Sequence, residues 1–216
     1  MIFLLALGSA CKLGKMGGQV NGSGVRKTET RELSPFKAID MEGAVEVQAV
    51  CQKAQSLSIE GDDNILPLIQ LEVRDGVLSI RTEHSYNSRE GVIVRLSVPN
   101  LESVKSTGAG KFRIQNLKND SFEVRSTGAS QVTVNGETKA VEIHSTGAGS
   151  IDAHNLHAQK ANVTSTGAAS VDVYASEQLD VTVSGVGKVS YGGDPKIINK
   201  TVNGAGTVAK REQSSF

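Results

Sequence analysis

The chain of 216 residues carries 23 basic and 23 acidic side chains, so it lacks the basic surplus that a nucleic-acid partner would need. Hydrophobic residues make up 38%, enough for one elongated core, while aromatics are 4% with no tryptophan, which excludes a stacking platform for bases and a rich sugar-binding shelf. Glycine is abundant at 23 residues and proline scarce at 4, the balance expected of a repeat with glycine corners.

Residues 1–10, MIFLLALGSA, form a short apolar run ending in small residues before Cys11. The run resembles the end of a bacterial lipoprotein signal peptide, after which the cysteine becomes the lipidated N-terminus. No basic residue precedes it, and Gly8 stands where that motif prefers leucine, so a secretory signal or a truncated start with a passenger cysteine is the competing reading. Both readings export the chain. Ten residues are too few to cross a bilayer as a helix, which needs about 20.

Residues 11–34 are rich in Gly, Lys, Asn and Ser without apolar periodicity, and they read as a flexible tether between a lipid on Cys11 and a folded head. Lys12, Lys15, Arg26, Lys27 and Arg31 read as solvated linker charges in preference to contacts with anionic headgroups. From Pro35 the folded part begins. Phe36, Ile39 and Met41 lead into Gly43, with Ala44 and Val47 after it, in the arrangement of a degenerate first coil. Leu57 and Ile59 before Gly61, with Ile65 after it, read as a second echo of the same arrangement. The DDNILPLIQ segment predicts a short helical turn or packed loop. The alternation on either side of Asp75-Gly76 predicts a hairpin, and residues 92–98, VIVRLSV, predict a strand that Pro99 stops.

Residues 101–209 are organised by a phrase that returns six times: STGAG from Ser106, STGAS from Ser126, STGAG from Ser145, STGAA from Ser165, SGVG from Ser184 and NGAG from Asn203. Its anchoring glycines, the repeat corners, are Gly108, Gly128, Gly147, Gly167, Gly185 and Gly204, in steps of 20, 19, 20, 18 and 19 residues. Periods of this size define a solenoid. Four residues before the glycine stand Val104, Val124, Ile143, Val163 and Val181, and four after it Phe112, Val132, Ile151, Val171, Val189 and Val208. Lys200 and Lys210 interrupt the apolar columns in the last repeat, where the core should end.

Odd offsets are polar, so the period within a repeat is two and helical repeats are excluded. The chain is therefore all-β, a right-handed parallel β-helix with coils of about 19–20 residues and a less regular N-terminal β-layer that continues or caps the helix. One domain spans 35–209, with a tail at 210–216. The serine column Ser106, Ser126, Ser145 and Ser165 has inward parity, where its hydroxyls need partners. Ala109, Ala129, Ala148, Ala168 and Ala205 are read as turning inward where the coil narrows.

The V-x-S-T-G-A-G-x-V-x-V phrase, together with FKAIDMEGAVEV and LSIEGDDNIL, resembles the putative auto-transporter adhesin head GIN domain. The resemblance covers about residues 35 to 209, and it implies a non-enzymatic head of an exported envelope protein with a glycan or protein surface as ligand. The implied setting is an outer membrane lipoprotein, facing the periplasm or the surface. The alternative is a carbohydrate-active β-helix enzyme, which would use stacked carboxylates such as Glu123 with Glu142 or Asp152 with Asp172. A third reading, a polymerising scaffold resembling the bactofilins, requires a cytosolic chain and conflicts with export.

No site chemistry is called from the sequence: no catalytic residue, no cofactor and no metal. The Gly-x-Gly phrases follow the repeat period and precede strands, so they are not nucleotide loops. Cys51 reads as a small buried hydrophobe. His154 and His157 form an HxxH pair that reads as solvated loop residues, and Asp62 with Asp63 would need further oxygens to hold calcium.

Overall fold

Alternation of apolar and polar residues, broken by glycines every 18–20 residues, carries the chain through strand after strand with almost no helix. The computed structural model describes residues 19–211. Its N-terminal part comprises β1 (Val20–Asn21), β2 (Arg26–Thr30), β3 (Ala38–Gly43), β4 (Val45–Cys51), β5 (Ser56–Asp62), a 3-10 turn (Leu66–Leu68), β6 (Ile69–Arg74), β7 (Val77–Thr82), β8 (Tyr86–Asn87) and β9 (Val92–Val98). The repeats form β10 (Ser103–Gly108), β11 (Lys111–Gly128), β12 (Gln131–Gly147), β13 (Ser150–Gly167), β14 (Ser170–Gly185), β15 (Lys188–Gly192), β16 (Ile197–Gly204) and β17 (Thr207–Lys210).

The repeats stack as a β-solenoid. β10 to β14 pair in parallel, each with the next, and β14 then pairs with β16 and β15, which is followed by β17. The glycines stand in register: Gly108 on Gly128, Gly128 on Gly147, and so on to Gly204. The first coil is formed by β3 and β4, with Gly43 on Gly108 and Val47 beside Phe112. The inward columns are closed to solvent from Val104 to Val181 and from Phe112 to Val189, and together they make one continuous core. Each buried Val, Ile or Leu contributes about 1.5–3 kcal/mol of transfer free energy, so the core grows by a similar increment with every coil.

Gly147 shows why the corner takes only glycine. Its φ is +122°, and a Cβ there would lie 2.5 Å from the Gly128 carbonyl oxygen of the coil below. That oxygen accepts from Ala148 N at 2.9 Å, so the close approach is itself a ladder bond. The alanines after these glycines correct one expectation: Ala109, Ala129, Ala148, Ala168 and Ala205 face solvent. Parity is kept through the corner, so the inward position is two residues after the glycine, at Gly110, Ser130, Gly149, Ala169 and Gly187.

That inward position matches the residue two before the glycine in the preceding coil. Met41 occupies the serine column in the first coil, and a Cβ at Gly110 would fall 1.9 Å from its Cε. Where the column is serine the neighbour can be larger, and Ser106 Oγ and Ser130 Oγ share a 2.7 Å hydrogen bond. The other three serines depart from the fully paired ladder expected: Ser126, Ser145 and Ser165 are buried with no hydrogen-bond partner among the described residues. Beside Ser126 and Ser165 the neighbour is Gly149 or Gly187, which brings no hydroxyl.

The varying repeat lengths are absorbed at the opposite corner, where the register slips between Ile114 and Leu117, Thr133 and Asn135, and Ala153 and His157. There Thr138 Oγ1 donates to Asn119 Oδ1 at 2.8 Å, and Asn119 Nδ2 donates to Leu101 O at 2.7 Å. Sequence reading did not separate this corner, because it carries no fixed residue type.

The N-terminal layer closes one end. β7 adds to β3 and β9 to β4, both in parallel, and antiparallel β6 and β5 then pair with β7 and β9. The hairpin turns at Asp75 and Gly76, both with positive φ (51° and 75°), as an Asp-Gly pair predicts. The second echo at Gly61 is corrected: it lies in antiparallel β5 and forms no coil. The tether is corrected over its second half, since β2 pairs antiparallel with β5, and β1 pairs in parallel with β8. β5 would otherwise present an open edge, and backbone pairing, which composition does not reveal, covers it. Arg26 donates to Gly91 O at 2.6 Å and to Glu60 Oε1 at 3.1 Å, and Arg31 to Ile69 O at 3.1 Å, so neither is a free linker charge. Cys11 and the signal-like run lie outside the described residues.

Candidate functional site

The solenoid turns sequence columns into surface columns. Three residues before each glycine, Lys105, Arg125, His144, Thr164, Thr182 and Thr201 stand in register on one outward face. Five before it, Ser103, Glu123, Glu142, Asn162, Asp180 and Asn199 form a parallel column. Charges on this face pair among themselves. Lys105 meets Asp40 at 3.2 Å, Arg125 pairs with Glu123, and His144 Nε2 lies 2.7 Å from Glu142 Oε1.

Along one margin of this face runs a polar groove lined by Asn100, Glu102, Asn119, Asp120, Glu123 and Glu142. The second outward face carries Arg113, Thr133, Asp152, Asp172 and Ser190 in register five residues after the glycines. Here the HxxH reading changes. His157 packs edge-on against the Tyr174 ring, 4.7 Å between centroids, and His154 turns instead to Asp152 and Asp172. Asp152 lies two residues before His154 on the same strand, and Asp172 comes from the next coil, where sequence distance conceals it. Burial is the leading influence on Asp172 and raises its carboxyl above the ordinary range, against the pull of Arg211 and His154.

Other flagged residues have structural roles. Cys51 is buried and desolvation pushes its thiol up to about 11, which leaves it protonated and inert. Asp63 Oδ1 accepts from Ser23 Oγ at 2.6 Å and Lys27 lies 3.8 Å from its other oxygen, so this carboxylate is occupied without calcium. The Arg95 and then the Arg26 guanidinium hold the Glu60 carboxyl below its usual range.

Stacked parallel coils with outward charge columns and a capped N-terminal end define a β-solenoid. The chain belongs to the putative auto-transporter adhesin head GIN domain family, which matches residues 35–195. Among solved structures it is similar to a putative adhesin from Bacteroides fragilis (TM-score 0.73, 25% identity), covering 89% of this chain and all of that one. A putative lipid binding protein from Parabacteroides distasonis (TM-score 0.57, 20% identity, 90% of this chain and 100% of that one) shares the fold. So does a putative adhesin from Parabacteroides merdae (TM-score 0.57, 20% identity, 90% of this chain and 99% of that one). No curated protein matches the sequence.

Proposed function

We propose that this chain is the non-enzymatic, adhesin-like head of an exported cell-envelope protein, anchored through a lipid on Cys11, and that its flat outward face binds a repetitive glycan or a second protein surface. The observation that carries the reading is the outward pair of columns from Ser103 and Lys105 to Asn199 and Thr201, which holds one register over six rungs. Strand spacing of about 4.8 Å makes such a face a periodic array suited to many weak contacts. Membership of the family and the adhesin-like neighbours support it.

The enzymatic alternative would place its acid and base among Glu123, Glu142, Asp152 and Asp172. We expect no turnover by the purified protein on a panel of acidic and neutral glycans, and binding to at least one repetitive polymer or envelope protein. Wild-type turnover that disappears when the four carboxylates become amides would reject the adhesin-like reading in favour of the enzyme.

A further inference from the structure

We propose that β16, the open C-terminal edge of the solenoid, takes an extended segment of a partner protein as a further strand, and selects one that carries an acidic residue with apolar residues two places to either side. The two ends of the solenoid differ. At the N-terminal end β6, β7, β5, β9 and β2 cover the first coil. At the other end β16 lies on β14 and, among the described residues, on no other strand. All eight of its residues are exposed. One side of its backbone is left with donors and acceptors that only water or another strand can satisfy.

Every second residue of β16 continues an inward column: Ile198 stands on Leu179, Lys200 on Val181 and Val202 on Val183. The three residues beneath are buried, whereas Ile198 and Val202 stay exposed because no rung covers them. A strand laid along β16 would set its own alternate side chains over this row. Apolar residues fit over Ile198 and Val202, where they would remove apolar surface from water. Over Lys200 an apolar residue would bury an ammonium group without a counter-ion, which is costly, and an acid would pair with it.

The counter-charge is missing from the chain itself. Lys210 is held by Asp194 and Arg211 by Asp172, but Lys200 makes no ion pair among the described residues. Its Nζ lies 3.2 Å from the Tyr191 hydroxyl and 4.6 Å from the centre of that ring. Asp180, one rung below, is taken by the amides of Gln178 and Asn199. On the outward side Asn199, Thr201 and Asn203 are uncharged and repel no entering strand. A second copy of this chain is a poor occupant. Two β16 strands paired antiparallel with their inward rows matched would set Lys200 of one against Lys200 of the other, and like charges directly opposite are destabilising. One residue thus keeps copies apart and admits a strand of opposite charge.

The inference concerns the end of the solenoid and stands whether or not the outward face binds a glycan. Its test is fluorescence anisotropy with the labelled peptide Thr-Val-Thr-Glu-Thr-Val-Thr, whose pattern reads the same in both strand directions, and with its counterpart bearing Lys in place of Glu. Wild type is expected to bind the Glu peptide saturably and the Lys peptide roughly tenfold more weakly or worse. Lys200→Glu should reverse that preference, and amide exchange in wild type should slow across Ile197–Gly204 when the Glu peptide is bound. Melting curves show whether the variant is folded, and the exchange measurement stands without it. Failure of wild type to bind the Glu peptide, a preference left unchanged by Lys200→Glu in folded protein, or protection that falls elsewhere than β16 overturns the proposal. A wild-type dimer in sedimentation velocity whose exchange protection falls on β16 would make a second copy the occupant and likewise overturns it.

Discussion

Val163 and Thr164 are consecutive residues with opposite fates, since the first is buried in the core column and the second lies on the outward face. Val163→Asp would bury an unpaired carboxylate and should destabilise the fold by about 3 kcal/mol or more. Thr164→Asp should change stability by less than about 0.5 kcal/mol. Equal melting temperatures for the two variants would refute the assigned alternation. The serine column offers a change in the other direction. Ser145 Oγ is buried without a partner, and the register places Ala169 beside it as Ser130 stands beside Ser106. Ala169→Ser should supply the missing hydroxyl and stabilise by about 1 kcal/mol, read as a higher denaturation midpoint with unchanged m-value. An unchanged or lower midpoint would show that Ser145 gains nothing from a second hydroxyl.

At the scale of the element, the two ends of the solenoid are treated differently. The N-terminal end is closed by β6, β7, β5, β9 and β2, while β16 at the other end pairs, among the described residues, only with β14 along its length. Ile198 and Val202 of β16 continue inward columns yet are each 41% exposed. Between them Lys200 stands on Val181, with Nζ 3.2 Å from Tyr191 Oη and 4.6 Å from the centre of that ring. A charged side chain in the middle of an open edge opposes pairing with another chain. Lys200→Ile would join Ile198 and Val202 into one apolar strip, and sedimentation velocity should then show larger, concentration-dependent species than in wild type. Identical distributions for the two proteins would remove the protective role from Lys200.

For the whole molecule, the proposed anchor and the solenoid belong to one arrangement. A head built from repeated coils can present its columns to a partner if it is held at one end, and the lipoprotein-like run ending at Cys11 precedes the capped end in sequence. Labelled palmitate should be incorporated by cells expressing the wild-type chain and lost in Cys11→Ala, with the protein released from the membrane fraction. Label that persists in Cys11→Ala, or none in wild type, would refute attachment through this residue.

The sequence by itself determined the period, the glycine corners, the core columns before and after them, the hairpin at Asp75-Gly76 and the first coil at Gly43. Each is a local pattern: a spacing, an alternation, or a residue type that a positive φ requires. The tertiary structure decided what local pattern leaves open. Leu57 and Ile59 alternate in the same way in a parallel coil or an antiparallel strand, and only the pairing of β5 with β9 and β2 distinguishes the two. The polar residues of β2 carry no apolar signal, because that strand is held by backbone bonds and by Arg26 and Arg31. His154 found its acidic neighbours partly across the coils, at Asp172, where sequence distance conceals proximity. Side-chain alternation is encoded residue by residue, whereas the partner of a strand edge is chosen by the whole chain, since every backbone carries the same donors and acceptors.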